Sequence, residues 1–201
     1  MSAMFKLSYG LFVVTAKGEK GHNGCITNTV MQVTTQPNRI TLAVNKANYT
    51  HDLIANGGQF NVSVISEAAD FDLFKHFGFQ SGRDVDKFGY YEPWRLSNNG
   101  LAYVTEGTNA YISAKVISAQ DLGTHTLFIA DVTEEKVLSD VPSATYAYYF
   151  ANIKPRPTAA EKNAPTKWRC KICGYEIETE ELPDDFICPW CKHGKVDFEK
   201  V

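Results

Sequence analysis

The 201-residue sequence has no long apolar stretch near its start, no excess of basic charge, and almost no cysteine outside one short region. The longest apolar run among its first residues, Leu11 to Val14, is far shorter than a signal-peptide core or a membrane span, so the expected setting is the cytoplasm and not a membrane. Twenty Lys and Arg are scattered and outnumbered by 23 Asp and Glu, for a formal charge of -3. A nucleic-acid binder needs clustered positive charge, so no nucleic-acid partner is expected. Gly18, Gly21 and Gly24 have the wrong spacing for the glycine fingerprint of a doubly wound nucleotide domain. There is no internal repeat.

What is present divides into two regions. With 44% hydrophobic residues, the chain can bury one sizeable core and still form a small satellite. LFVVTA, VMQVT, RITLAVN, QFNVSVIS, YISAKVIS and TLFIADV, between Leu11 and Val132, are short runs rich in Val, Ile, Thr and Phe separated by turn residues, and they read as strands. Two short helices interrupt them. One is expected from Thr50 to Asn56, with Thr50 as N-cap and Gly57 past its end; the other follows Ser66, carries Glu67 and Asp70 in its first turn, and stops at Gly78. Many strands with few helices predict a mainly β barrel or sandwich. The segment Ala151 to Thr166 holds Pro155, Pro157 and Pro165 and only one large aliphatic residue, Ile153, so it cannot bury enough surface to fold alone. It reads as a linker, able to span about 20 Å root-mean-square if flexible. The expected boundaries are therefore 1–150, a linker at 151–166, and a small domain at 167–201.

Four of the five cysteines, Cys170, Cys173, Cys188 and Cys191, form two CxxC pairs with 14 residues between them. Each CxxC turn brings two thiolates to one ion, and two turns complete a tetrahedron. Zinc and iron both accept such a set, and the ligands alone do not choose between them. The neighbours resemble rubredoxin: CxxCGY at Cys170 to Tyr175, CPxC at Cys188 to Cys191, then Lys195 and Phe198. Trp168, Tyr175, Phe186, Trp190 and Phe198 are expected to form an aromatic core. The short spacing is similar to the compact rubredoxin-like domains appended to larger proteins such as rubrerythrin. Lys192 stands where the second turn often has glycine, which asks a non-glycine residue for a left-handed conformation. The resemblance implies a single iron that carries one electron at a time; the competing reading is a zinc ribbon that only staples the tail.

The first region resembles the flavin reductase family with the FMN-binding split-barrel fold. The likeness rests on LFVVTAKGEKGHNGCITNT, LAVNKANYTHDLI, SGRDVDKF and GTHTLFIADV in that order. It implies that Asn23, Gly24, Cys25, Ile26, Thr27, Asn28 and Thr29 pass along a flavin ring. Asn45, Lys46, Asn48 and Thr50 then sit at a helix start that holds the phosphate, and Ser81, Arg83 and Lys87 line a loop that adds countercharge. His125 matches a histidine that the family places near flavin and nicotinamide, where it positions the dinucleotide or supplies a proton; the other reading is a turn histidine bonded to backbone. Cys25 reads as a small buried hydrophobe before it reads as a redox group. His51 and His76 are expected to be structural, and Tyr146, Tyr148, Tyr149 and Phe150 to serve barrel or subunit-interface packing.

Taken together the two regions resemble the fused proteins called high-molecular-weight rubredoxins. That resemblance implies a homodimeric NAD(P)H-dependent oxidoreductase in which hydride goes to FMN and single electrons go to the four-cysteine iron. From there they pass to an acceptor, typically a flavodiiron protein that reduces oxygen or nitric oxide. Two rivals stay open: a free-flavin or ferric reductase, and a non-catalytic carrier reduced by a partner. No ribose-reading motif separates NADH from NADPH.

Overall fold

The computed structural model describes residues 3–155 and 167–201; most of the expected linker, residues 156–166, lies outside the described residues. Seven strands form one antiparallel sheet in the order β2, β1, β5, β8, β9, β4, β3. Their ranges are β1 Phe12–Gly18, β2 Gly21–Thr27, β3 Met31–Thr35, β4 Asn38–Asn45, β5 Gln59–Ile65, β8 Thr108–Asp121 and β9 His125–Val137. A separate hairpin pairs β6, Trp94–Leu96, with β7, Ala102–Val104. Register shifts in β8 and β9 increase the local twist and curl the sheet toward closure. β4 alternates buried and half-buried residues, as a strand with one face on a core must.

Two hydrophobic cores lie on opposite faces of β1 and β5. Inside the curl, Val14, Ala16, Leu42, Phe60, Val62 and Phe128 pack with Leu53 and Ile54 of α1, Tyr49–Gly57. On the outer face, Leu11, Val13 and Ile65 pack with Leu73, Phe74 and Phe77 of α2, Phe71–Gly78. This double burial explains why FVVT and NVSV carry side chains that are buried on both sides.

Both helices start elsewhere than the sequence reading placed them. α1 begins at Tyr49 because Asn48 keeps an extended conformation and its side chain accepts from the Thr50 N–H, so Asn48 is the N-cap in place of Thr50. Its end is Gly58 in the left-handed region. α2 is capped by Asp70, whose carboxylate accepts from Leu73 N at 3.0 Å. Glu67 to Ala69, expected inside that helix, lie in a turn, and Ser66 before them is anchored to Ser143 by a bridge. After β9, Tyr146–Tyr148 form α3, which continues through a wider turn at Tyr149–Ile153. Ile153 packs on the outer core.

Residues 167–201 build a three-stranded sheet in the order β11, β10, β12, from Glu176–Glu178, Lys167–Cys170 and Phe198–Lys200. Its core holds Leu182 and Phe198 with Trp168, Tyr175 and Phe186 against the cysteines. Trp190, expected in that core, is instead 45% exposed. Among the described residues no helix is long and apolar enough to cross a membrane.

A buried polar knot holds the β6–β7 hairpin onto the sheet. Asn61 on β5 donates to Ser97 Oγ at 2.8 Å and to Leu101 O at 3.0 Å, and accepts from Asn99 Nδ2 at 2.9 Å. Thr15 Oγ1 donates to Ala102 O beside it. Asn61→Ala therefore should lower the unfolding free energy by about 1–3 kcal/mol, the cost of stranding buried polar groups, as read by urea denaturation.

Candidate functional site

β2 and β3 are the two edges of the sheet, and they do not pair with each other. The segment between them is held by Thr29, whose hydroxyl donates to Ala43 O at 2.6 Å and accepts from Ala43 N at 3.2 Å. Thr27 Oγ1 lies 2.8 Å from Thr29 Oγ1. The barrel is thus stitched at one point and open beside it. A cavity of about 270 Å³ occupies that opening.

The cavity gathers ten of the expected residues: Cys25, Ile26, Thr27, Asn28 and Thr29 from β2 and its exit, Asn45 and Asn48 before α1, then Ser81, Lys87 and His125. Five others are not on its wall. Asn23 is buried and donates to Thr50 Oγ1 at 2.8 Å, so each of these two side chains serves the other. Gly24 is pressed against Phe77 and Thr15, where an added Cβ would lie 3.1 Å from each. Lys46 pairs with Asp121 at 2.6 Å, and Arg83 with Asp52 at 2.6 Å while lying 5.2 Å over the Tyr49 ring. Two of the three cations expected at a phosphate are thus each held by a carboxylate.

Lys87 lines the cavity, yet its ammonium is turned away from a ligand. It is 3% exposed and donates to Gly24 O at 2.8 Å and Phe77 O at 2.9 Å. One carbonyl belongs to edge strand β2; the other is among the last carbonyls of α2, which the helix cannot satisfy itself. Lys87 therefore ties the cavity's floor strand to a helix C-terminus, whose dipole favours its charge. Burial still pulls its pKa down to about 8, against a raising influence from Cys25. The Cys25 thiol is itself pushed up by burial, so it stays protonated and packs in the inner core.

His125 opens β9 opposite Asn45, with Nδ1 2.9 Å from Thr124 Oγ1. Burial, then the charge of His193, lowers its pKa below the usual value, so the ring is neutral at pH 7. His51 bridges Asp52 and Thr126, and His76 bonds Lys87 O at 2.6 Å and stacks on Tyr91. Both roles are structural. Tyr149 joins the outer core, and with Tyr146 it also lines the cavity. The sequence reading missed Phe79 altogether, because a residue just past a helix-ending glycine gives no periodic signal.

The four tail cysteines converge, with all Sγ atoms within 4.8 Å of one another. Cys170 to Cys191 and Cys173 to Cys188 are each 3.5 Å apart. A disulfide needs about 2.05 Å, whereas a tetrahedron with bonds of about 2.3 Å has edges of about 3.8 Å. The donor set therefore fits one tetrahedral ion. The sulfurs do not titrate alike: hydrogen bonds from Cys173 and Cys191 hold the Cys170 thiol well below its usual value, while the Cys173 and Cys191 thiols are pushed up. A dication ends that competition by binding all four as thiolates. Backbone N–H groups of Ile172, Tyr175 and His193 point at the sulfurs, the kind of contact that sets a cluster's potential. Gly174 and Lys192 take matching left-handed positions in the two turns, at φ 81° and 62°.

Two families match the chain: flavin reductase like domain over residues 4–156, and rubrerythrin, rubredoxin-like domain over residues 168–199. The chain is 36% identical over 226 aligned positions to a high molecular weight rubredoxin of Moorella thermoacetica, covering 99% of this chain and 98% of that one. It is 37% identical to a ferric-chelate reductase (NAD(P)H) of Archaeoglobus fulgidus, over 74% of this chain and 88% of that one. Among solved structures, the styrene monooxygenase flavin reductase of Pseudomonas putida S12 superposes with a TM-score of 0.60 at 25% identity, covering 78% and 97%.

The burial of Lys87 has a pH signature. Between pH 8 and 10.5 its folded form has lost the proton that the unfolded chain keeps, so stability rises with pH across that window. Lys87→Met should flatten this segment, changing the difference between the two proteins by roughly 3 kcal/mol over the window, as read by denaturant unfolding at stepped pH.

Proposed function

The chain belongs to the flavin reductase-like family and ends in a rubredoxin-like domain, and from that premise we propose that it carries reducing equivalents from NAD(P)H to a flavodiiron protein. It is an NAD(P)H-dependent oxidoreductase that uses FMN and one iron held by Cys170, Cys173, Cys188 and Cys191. FMN supplies the conversion of a two-electron hydride into single electrons, and the four-thiolate iron carries them singly.

The chain's own residues prepare that chemistry. The free edge of β2, from Cys25 to Thr29, offers backbone donors and acceptors along the cavity. Asn48 and the first turn of α1 face the same space, where the helix dipole favours the flavin phosphate. Because Thr124 engages Nδ1, His125 has Nε2 left to orient the dinucleotide or to hold a proton, and it does so as a neutral ring. The observation that carries the reading is a wall shared between domains: Cys173 and Cys191 of the metal centre line the same cavity as β2 and His125. We further propose a homodimer built on β3, all of whose five residues are exposed, Met31 and Val33 among them. The double variant Met31→Asp/Val33→Asp should then sediment as a monomer.

Cys173→Ser tests the electron route. The variant should keep NAD(P)H-dependent bleaching of the flavin and lose the ferric thiolate absorption, while transfer to an external acceptor drops at least about 100-fold, the upper end of what loss of even an outer-shell partner costs a metal site. Transfer at the native rate would refute the order of carriers. The likeness to a ferric-chelate reductase favours a second reading, direct reduction of ferric complexes by the flavin. That activity would survive Cys173→Ser undiminished.

A further inference from the structure

The metal domain forms part of the flavin cavity's wall, and it does so through residues that its own core does not need. Trp190 leaves the small core and stacks on Phe79, with ring centroids 5.2 Å apart and planes 23° apart. Tyr175 meets the same indole edge-on at 5.1 Å. The other cysteine turn also reaches across: a Cβ on Gly174 would lie 3.9 Å from Phe79 Cζ and 4.0 Å from Lys154 Nζ. Lys154 thereby brings positive charge to a centre whose four thiolates outweigh the charge of one iron.

Lys192 adds a third observation. A non-glycine residue at φ 62° sits in a left-handed conformation that side chains disfavour, and such strain persists where the surroundings hold it for a purpose. Here the strained turn sets Lys192, with Cys191 and Ile172, on the wall of the cavity that β2 also lines.

The space left between the walls is about 270 Å³. Small-molecule sites usually run about 300–1,000 Å³, so with the metal domain docked the opening is small for a cofactor and a dinucleotide together. Hydride transfer requires the two to overlap, with reacting atoms about 3–3.5 Å apart. A ring seated along β2 would share its cavity with Cys173, Trp190 and Cys191 of the metal domain.

We propose that the docked metal domain and the nicotinamide dinucleotide compete for the same face of the flavin, with the Phe79–Trp190 stack as the latch of the docked state. The inference rests on the flavin reading of the cavity. Each turnover then alternates. With the metal domain undocked, a hydride would pass from the nicotinamide to the bound flavin, and the nicotinamide departs oxidised. The metal domain docks, its ferric iron takes one electron, and it delivers that electron to the acceptor after release. Two such cycles discharge one hydride, and the accompanying proton goes to solvent.

The test uses the full chain with flavin and iron in place and the variants Trp190→Ala, Trp190→Phe and Phe79→Ala. One measurement is the affinity of the oxidised protein for NAD⁺ or NADP⁺, whichever reduced form bleaches the flavin. The other is the rate at which the ferric band fades after the flavin is photoreduced without nucleotide. Loss of an aromatic pair shifts the docked population about 2- to 10-fold, so Trp190→Ala and Phe79→Ala should tighten dinucleotide binding and slow internal transfer by that factor. Trp190→Phe should restore both. Dinucleotide affinity that stays the same or weakens, or transfer that does not slow, overturns the competition. Failure of the flavin reading itself looks different: the unaltered chain's flavin is then bleached by neither NADH nor NADPH, and the proposal falls with it.

Discussion

The incomplete closure of the barrel governs what the rest of the molecule does. A sheet whose edge strands do not pair must satisfy the polar backbone of both edges in some other way. At β3 the edge is turned outward and exposed. At β2 one carbonyl is taken by Lys87 and the exit loop is stitched to β4 by Thr29, and the remaining edge faces the cavity. The seam thus creates a groove walled by backbone donors and acceptors, which suits a heteroaromatic ring with polar groups along its rim. α1 and α2 flank that groove because each is needed to cover one face of β1 and β5. Covering the core and framing the site are one act.

Charge at the groove is arranged with the same economy. The structure commits Lys46, Arg83 and Lys87 to Asp121, Asp52 and two carbonyls. Exposed ion pairs such as the first two are worth little to stability. Lys87 is another matter. Its depressed pKa reflects a cation kept in the interior because it closes two otherwise unmet carbonyls, and that makes it a structural tie beneath the cavity.

The metal domain is built to face outward on the side where its partner lies. Cys170 and Cys188 are buried in its own core, while Cys173 and Cys191 are half-buried and meet the cavity. Trp190 is the clearest sign of this orientation. In a sequence of this composition a tryptophan between two ligands reads as core, since small domains need every aromatic ring they have. The indole went instead to Phe79, a residue more than a hundred positions away, whose role nothing local announces.

The sequence by itself determined the mainly β character, the two helices, the four clustered cysteines and the strained Lys192, because each is a matter of local spacing, propensity or turn chemistry, while the barrel rested on family resemblance. The β2 exit and the α1 start, which the sequence reading assigned to one site, line one cavity. Helix starts slipped because Asn48 and Asp70 are better N-caps in their particular backbone conformations than the Thr50 and Ser66 positions chosen by pattern. Which cations stay free, which tyrosines serve both core and cavity, and where Trp190 points were decided only by tertiary structure. Those outcomes depend on partners brought together across the sheet and across the two domains, and contacts at that range leave no period or motif along the chain.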